Sequence, residues 1–149
     1  MQNKRFKQTE EALAEIYRNA QLALQSISDI LPETEDGEVR AELTAQHEAY
    51  EHFSARAQMI ARDKGLELKE PNPMKKAMMW GSIKMNAMSD NSAPHIAEMM
   101  LQGTLMGITA LRKTQSELPP DYADEEVRGL LKDFIGLEER FEKRLKRHL

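Results

Sequence analysis

A chain of 149 residues with 31% charged and 5% aromatic residues fits one domain, residues 1–149, large enough to bury a core unaided. It contains no cysteine, which excludes disulfides, thiolate metal sites and cysteine nucleophiles. A net charge of −4 argues against a general nucleic-acid binder.

The basic start MQNKRFKQTEE has no apolar run behind it, so no signal peptide is expected. No apolar stretch is long enough to span a bilayer, and a cytoplasmic location is the expectation.

The first helix is expected from about Arg5 to Leu31. Leu13, Ile16, Tyr17, Ala20, Ala23, Leu24, Ile27, Ile30 and Leu31 recur at the spacing of one helical face. Pro32 and the stretch Glu33 to Gly37 end it. A second helix follows over about Glu38–Lys64, with Val39, Leu43, Gln46, Tyr50, Phe53, Ala57 and Ile60 inward and Gly65 as its C′ residue.

Gly65 to Asn91 reads as a crossover. Pro71 and Pro73 break it, and Met74–Ser89 reads as a short extra helix rich in methionine. Eight of the ten methionines lie between Met74 and Met106, and their helical spacing suggests core filling beneath the crossover, with Trp80 in the same cover. Copper(I) binding or an adaptable partner surface is the other use of such a set.

Ser92 and Pro94 mark the start of a third long helix, which runs to about Ser116. Ile96, Met99, Met100, Gly103, Met106, Gly107 and Ala110 line one side of it, and Leu101, Leu105 and Ile108 form a second strip. It should be the most buried helix of the four. Leu118-Pro119-Pro120 ends it, and Asp121 or Asp124 can cap the last helix.

In that last helix Val127, Leu131, Phe134, Glu138, Phe141, Leu145 and His148 alternate at spacings of four and three, one continuous stripe. A carboxylate thus sits in the middle of an apolar stripe. It must reach solvent, pair, bind something or keep its proton. Acidic Asp124, Glu125 and Glu126 at the start and basic Lys143, Arg144, Lys146 and Arg147 at the end suit the helix dipole.

Short links join helices 1–2 and 3–4, which predicts two antiparallel hairpins. The connection between helices 2 and 3, about 27 residues, can travel the length of a bundle and leave those two helices parallel. The expectation is all-α: a ferritin-like four-helix bundle with a long crossover holding a short extra helix.

The segments SAPHIAEMMLQGTLMGITALRK (Ser92–Lys113) and ADEEVRGLLKDFIGLEERFEKRL (Ala123–Leu145) resemble small uncharacterised bacterial proteins of the ferritin-like superfamily. The N-terminal half shares only the helical pattern. Metal-binding members of that superfamily take one Glu from each of two helices and a Glu-x-x-His pair from each of the other two. This chain has no Glu-x-x-His. It offers His47/Glu51 and Glu48/His52 at spacing four, His95 and Glu98 in reversed order, and no carboxylate at the centre of the first helix, where Glu15 and Asp29 lie toward the ends.

With helices 2 and 3 parallel, Gln46 or His47, Glu98 or Gln102, and Glu138 fall near one level. Such a layer could hold a metal or a small polar ligand, or form a buried network in which Gln46 donates to Glu138 and fixes helix register. No phosphate loop, nucleophile elbow or His-Glu-x-x-His occurs. The leading expectation is a non-enzymatic, self-associating homo-oligomer acting through helix packing, because the third helix carries two apolar strips where a monomer needs one. The alternative is an iron or manganese protein, an oxidase or metal store, with His47, Glu51, Glu98 and Glu138 converging.

Overall fold

Four long helices carry the chain: α1 (Gln2–Ile30), α2 (Gly37–Asp63), α3 (Ala93–Glu117) and α4 (Glu125–Lys146). The computed structural model describes the backbone of residues 2–69 and 84–149 and the side chains of 7–69 and 84–149. Pro71, Pro73, the run from Met74 to Met79 and Trp80 lie outside the described residues. Of the expected extra helix, residues 84–89 are helical.

The ends of the helices follow from local chemistry. The carboxylates of Asp36 and Asp124 accept from the backbone N–H of Val39 (3.0 Å) and Val127 (3.1 Å), each satisfying an orphan donor of a first turn. Ser92 occupies the N-cap of α3 with extended backbone, but its hydroxyl makes no capping bond. At the other end of α2, Leu66 N–H reaches Ala61 O (2.8 Å) and Gly65 N–H reaches Arg62 O (3.0 Å). This is the Schellman arrangement, and Gly65 stands at φ 71°, where a side chain would be strained.

Three sets of contacts fix the helix directions. Gln21 of α1 donates to Ser54 of α2 (2.8 Å), so α1 and α2 run antiparallel across the turn Leu31–Glu33. Glu42–Arg144 and Arg56–Asp133 (both 4.0 Å) and Lys64–Asp124 (2.6 Å) descend α2 while climbing α4. Thr9 near the start of α1 meets Tyr122 just beyond α3, and Asn19 further along α1 lies against Gly107, so α1 and α3 also run antiparallel. The second and third helices are therefore parallel.

The core is one cluster. Leu13, Ile16, Ile27 and Ile30 of α1 meet Val39, Leu43 and Tyr50 of α2 and Leu130, Leu131, Phe134 and Phe141 of α4. Tyr50 lies edge-on to Phe134 (5.9 Å between centroids) and against Phe141 (5.5 Å), while Phe53 meets Phe134 at 4.9 Å. Each such pair adds about 1 kcal/mol beyond the area it buries. Beyond α3, Tyr122 turns inward to share a hydrogen bond with Thr9, and Arg128 stacks over its ring and donates to Pro119 O (3.0 Å).

Two expectations are corrected. α3 is not the most buried helix: only Ile96, Ala97, Met100, Thr104, Gly107 and Leu111 are buried, against eight residues of the shorter α4. The inward stripe includes Thr104 in place of Gly103, and Met106 points outward. A threonine is tolerated there because its hydroxyl returns to Met100 O (2.8 Å) within the helix. Nor do the described methionines of Met74–Met106 mainly fill the core. Met85 and Met88 are 73% and 65% exposed, because Ala87 is the side chain that residues 84–89 turn inward, and Met106 on α3 is 73% exposed.

Candidate functional site

The feature with the most unusual chemistry is a polar layer that crosses the core. Glu138 arrives there because the α4 stripe that buries Phe134 and Phe141 must also bury the position between them. Only 2% of the residue remains exposed. Tyr50 of α2, likewise buried, hydrogen-bonds its carboxyl, and Thr104 of α3 hydrogen-bonds the Tyr50 hydroxyl. Asn19 of α1 completes the layer. Its amide nitrogen donates to Glu15 O and Glu15 Oε1, both at 2.9 Å, which leaves its Oδ1 facing Gly107 beside Glu138 Oε1. Each of the four helices contributes one polar side chain.

Burial pushes the Glu138 carboxyl up to about 8, only partly opposed by the Tyr50 hydrogen bond. No cationic side chain contributes to that shift. Glu138 Oε2 has no hydrogen-bond partner among the described residues. The hydrogen-bond count agrees with a neutral acid. Thr104 has one proton, which serves either Met100 O or Tyr50, and Asn19 turns an acceptor toward the site. An ionised carboxylate needs further donors there, whereas a protonated one supplies its own. Tyr50 is raised well above its ordinary value by burial first and then by the Glu138 charge, so it stays a hydroxyl donor.

The closeness of the layer depends on Gly107. A Cβ at that position would stand 3.2 Å from Asn19 Oδ1 and 3.5 Å from Glu138 Oε1, whereas at Gly103 it would meet nothing within 4 Å. Alanine favours a helix over glycine by about 1 kcal/mol. Gly103→Ala should therefore raise stability by up to that amount. Gly107→Ala should cancel or reverse the gain by displacing Asn19 and the carboxyl. Urea unfolding of the two variants at pH 6 checks the difference, and equal gains would contradict the close approach.

The expected ligand set does not converge. His47 Nδ1 meets Glu51 Oε1 at 2.8 Å, but with side chains 32% and 61% exposed this is a surface pair. Glu98 and Gln102 point to solvent from α3, as do Glu48 and His52 from α2. His95 stands at the first turn of α3, 3.8 Å from Asp90. Gln46 is fully buried as the α2 stripe requires, yet its amide donates to Glu42 Oε1 (3.1 Å) rather than to Glu138, and its own oxygen has no partner among the described residues. Among the described residues no three His, Asp or Glu side chains form a group able to hold a metal ion.

Tyr50, Thr104 and Asn19 are the members of the layer that the sequence pattern does not mark as site residues. Tyr50 reads as an ordinary inward aromatic, and the apolar spacing assigns Asn19 and Thr104 no role. The available signal was the demand that a buried carboxyl find a donor on a facing helix. A separate open groove of about 290 Å³ lies between α1 and the end of α3, walled by polar side chains including Glu11, Arg18 and Glu117; it does not reach Glu138. Among the described residues no helix is long and apolar enough to cross a membrane.

No protein-family model matches the sequence, and no curated protein or solved structure matches it.

Proposed function

We propose that the chain is a non-catalytic, self-associating helical protein of ferritin-like topology, which acts through the outward side of α3. The parallel course of α2 and α3, with a hairpin on either side, supports the topology. One observation carries the functional reading. Leu105 and Met106, adjacent in the middle of a 25-residue helix, are 41% and 73% exposed. They extend the apolar surface of α3 beyond the side buried in the core, onto both of its flanks.

Burying a leucine or methionine side chain fully is worth about 2 kcal/mol, so surface of this kind rewards a partner that covers it. The polar layer around Glu138 has a structural part in this reading. It gives the four helices one register in which their polar groups meet. The metal-store or oxidase reading draws no support from Glu51 and Glu98, which lie on the outer surface, away from Glu138.

Light scattering on the eluted protein tests the reading. A species of twice the 17.1 kDa chain mass, falling toward the single-chain mass on dilution through the micromolar range, is expected. A constant single-chain mass at every concentration would overturn it.

A further inference from the structure

Five residues of α3 form a seam on one flank of the helix: Glu98, Leu101, Leu105, Ile108 and Arg112. Their spacings of three, four, three and four are those of a heptad seam, which keeps them on one line along the helix. Glu98, Leu105 and Arg112 are exposed, and Leu101 and Ile108 are half-buried. The seam is apolar along its middle and ends in an acid on one side and a base on the other. Each of these charges is seven residues from Leu105.

That symmetry specifies a partner. We infer that the seam docks against the same seam of a second copy of this chain, with the two α3 helices antiparallel and crossing at Leu105. The inference rests on the self-association proposed above and adds its geometry. In a two-fold interface, each residue that contacts a second residue across the interface is contacted by that same residue type in return. Antiparallel docking about Leu105 sets Glu98 of each copy against Arg112 of the other, twice per dimer, and Leu101 against Ile108. Parallel docking sets Glu98 against Glu98 and Arg112 against Arg112, which repel. The charges therefore select one orientation.

Arg112 is already steered by Glu139 of α4, whose side chain is 43% exposed. In the dimer its guanidinium lies between two carboxylates, one from each copy, and its fork of donors can serve both. Among the described residues, the large exposed apolar residues off this helix, Met59, Met85, Met88 and Leu149, have no comparable pairing of opposite charges about a centre.

Charge reversal and mixing test the inference by sedimentation equilibrium. Glu98→Arg alone and Arg112→Glu alone each place like charges together twice per dimer, and each should weaken association about tenfold or more. In an equimolar mixture of the two variants, every cross-chain pair is again of opposite sign, so a mixed dimer should form with close to wild-type affinity. The double variant should also dimerise by itself. Leu105→Lys, at an exposed position that leaves the core untouched, should abolish dimerisation, and circular dichroism melts verify that each variant is folded.

If wild type dimerises and the single reversals do not weaken it, or their mixture does not recover, this seam is wrong while self-association stands. If wild type is monomeric throughout, both proposals fall.

Discussion

Glu138→Gln should make the protein more stable than wild type above pH 8 and leave it within about 1 kcal/mol of wild type at pH 5, since glutamine keeps the shape and polarity of the protonated acid. The sign follows from linkage. The carboxyl holds its proton up to about 8 in the folded state and releases it near 4.5 when exposed. Between those values the folded protein binds more protons than the unfolded chain, so stability falls as pH rises.

The slope from this one group approaches 1.4 kcal/mol per pH unit and vanishes above the folded value. Across the window the loss is on the order of 5 kcal/mol, a large part of the roughly 5–15 kcal/mol that holds a domain together. Urea unfolding of wild type and variant from pH 5 to 9 provides the test. The difference between the two profiles isolates Glu138, because every other titrating group is common to both. Parallel profiles would show that the carboxyl ionises normally.

Tyr50→Phe is the second large effect, and it separates the hydrogen bond from the burial. Phenylalanine keeps the ring against Phe134 and Phe141 but removes the donor to Glu138. Leaving a buried polar group without its partner costs about 1–3 kcal/mol. The Tyr50 bond also holds the Glu138 carboxyl below the point to which burial alone would drive it. Its removal should therefore push the folded-state value above 8 and carry the pH-dependent decline further into the alkaline range. The loss of stability should be small at pH 5, where the acid is neutral in either protein, and largest near pH 9. In the Glu138→Gln background the Tyr50→Phe cost should no longer depend on pH through this group. A cost that is independent of pH in both backgrounds would mean that the two residues are not coupled.

These effects concern the part of the molecule that is easiest to read from sequence. The α4 stripe places Glu138 between Phe134 and Phe141, and a strict alternation of four and three leaves no other side of the helix for it. The α2 stripe is equally regular, and all seven of its expected inward residues are buried, Gln46 among them. Regular period, caps such as Asp124 and a glycine such as Gly65 are local properties, so they can be read without knowing the neighbours.

α3 was harder to read because it is apolar nearly all round. A helix with little polar surface has no phase from which to infer its inward side. Spacing alone puts Met106 on the inward face and leaves Thr104 off it. What rotates the helix is the contact of Gly107 with Asn19 and Glu138 and the self-satisfied hydroxyl of Thr104, and both involve groups from outside the apolar pattern. The partners of Glu138 were hidden for a similar reason. Gln46 lies on the right helix and is buried, but Tyr50, one turn later, reaches the carboxyl with a longer side chain, while Gln46 is engaged by Glu42 on its own helix. Which of two inward polar groups makes a contact depends on reach across the core, which spacing along one helix does not encode.

The same ambiguity in α3 gives the functional account its content, since the apolar surface that the core leaves uncovered is what a second copy is proposed to cover. The most direct test of that claim is the distance between nitroxide labels attached at Ser116→Cys, an exposed position near the end of α3 in a chain that has no other cysteine. Antiparallel docking about Leu105 separates the two labels by roughly 35 Å, from a rise of 1.5 Å per residue on either side of the crossing, so a dipolar coupling of that range that fades on dilution is expected. A separation under about 20 Å, as side-by-side parallel helices would give, or no coupling between chains at any concentration, would contradict it.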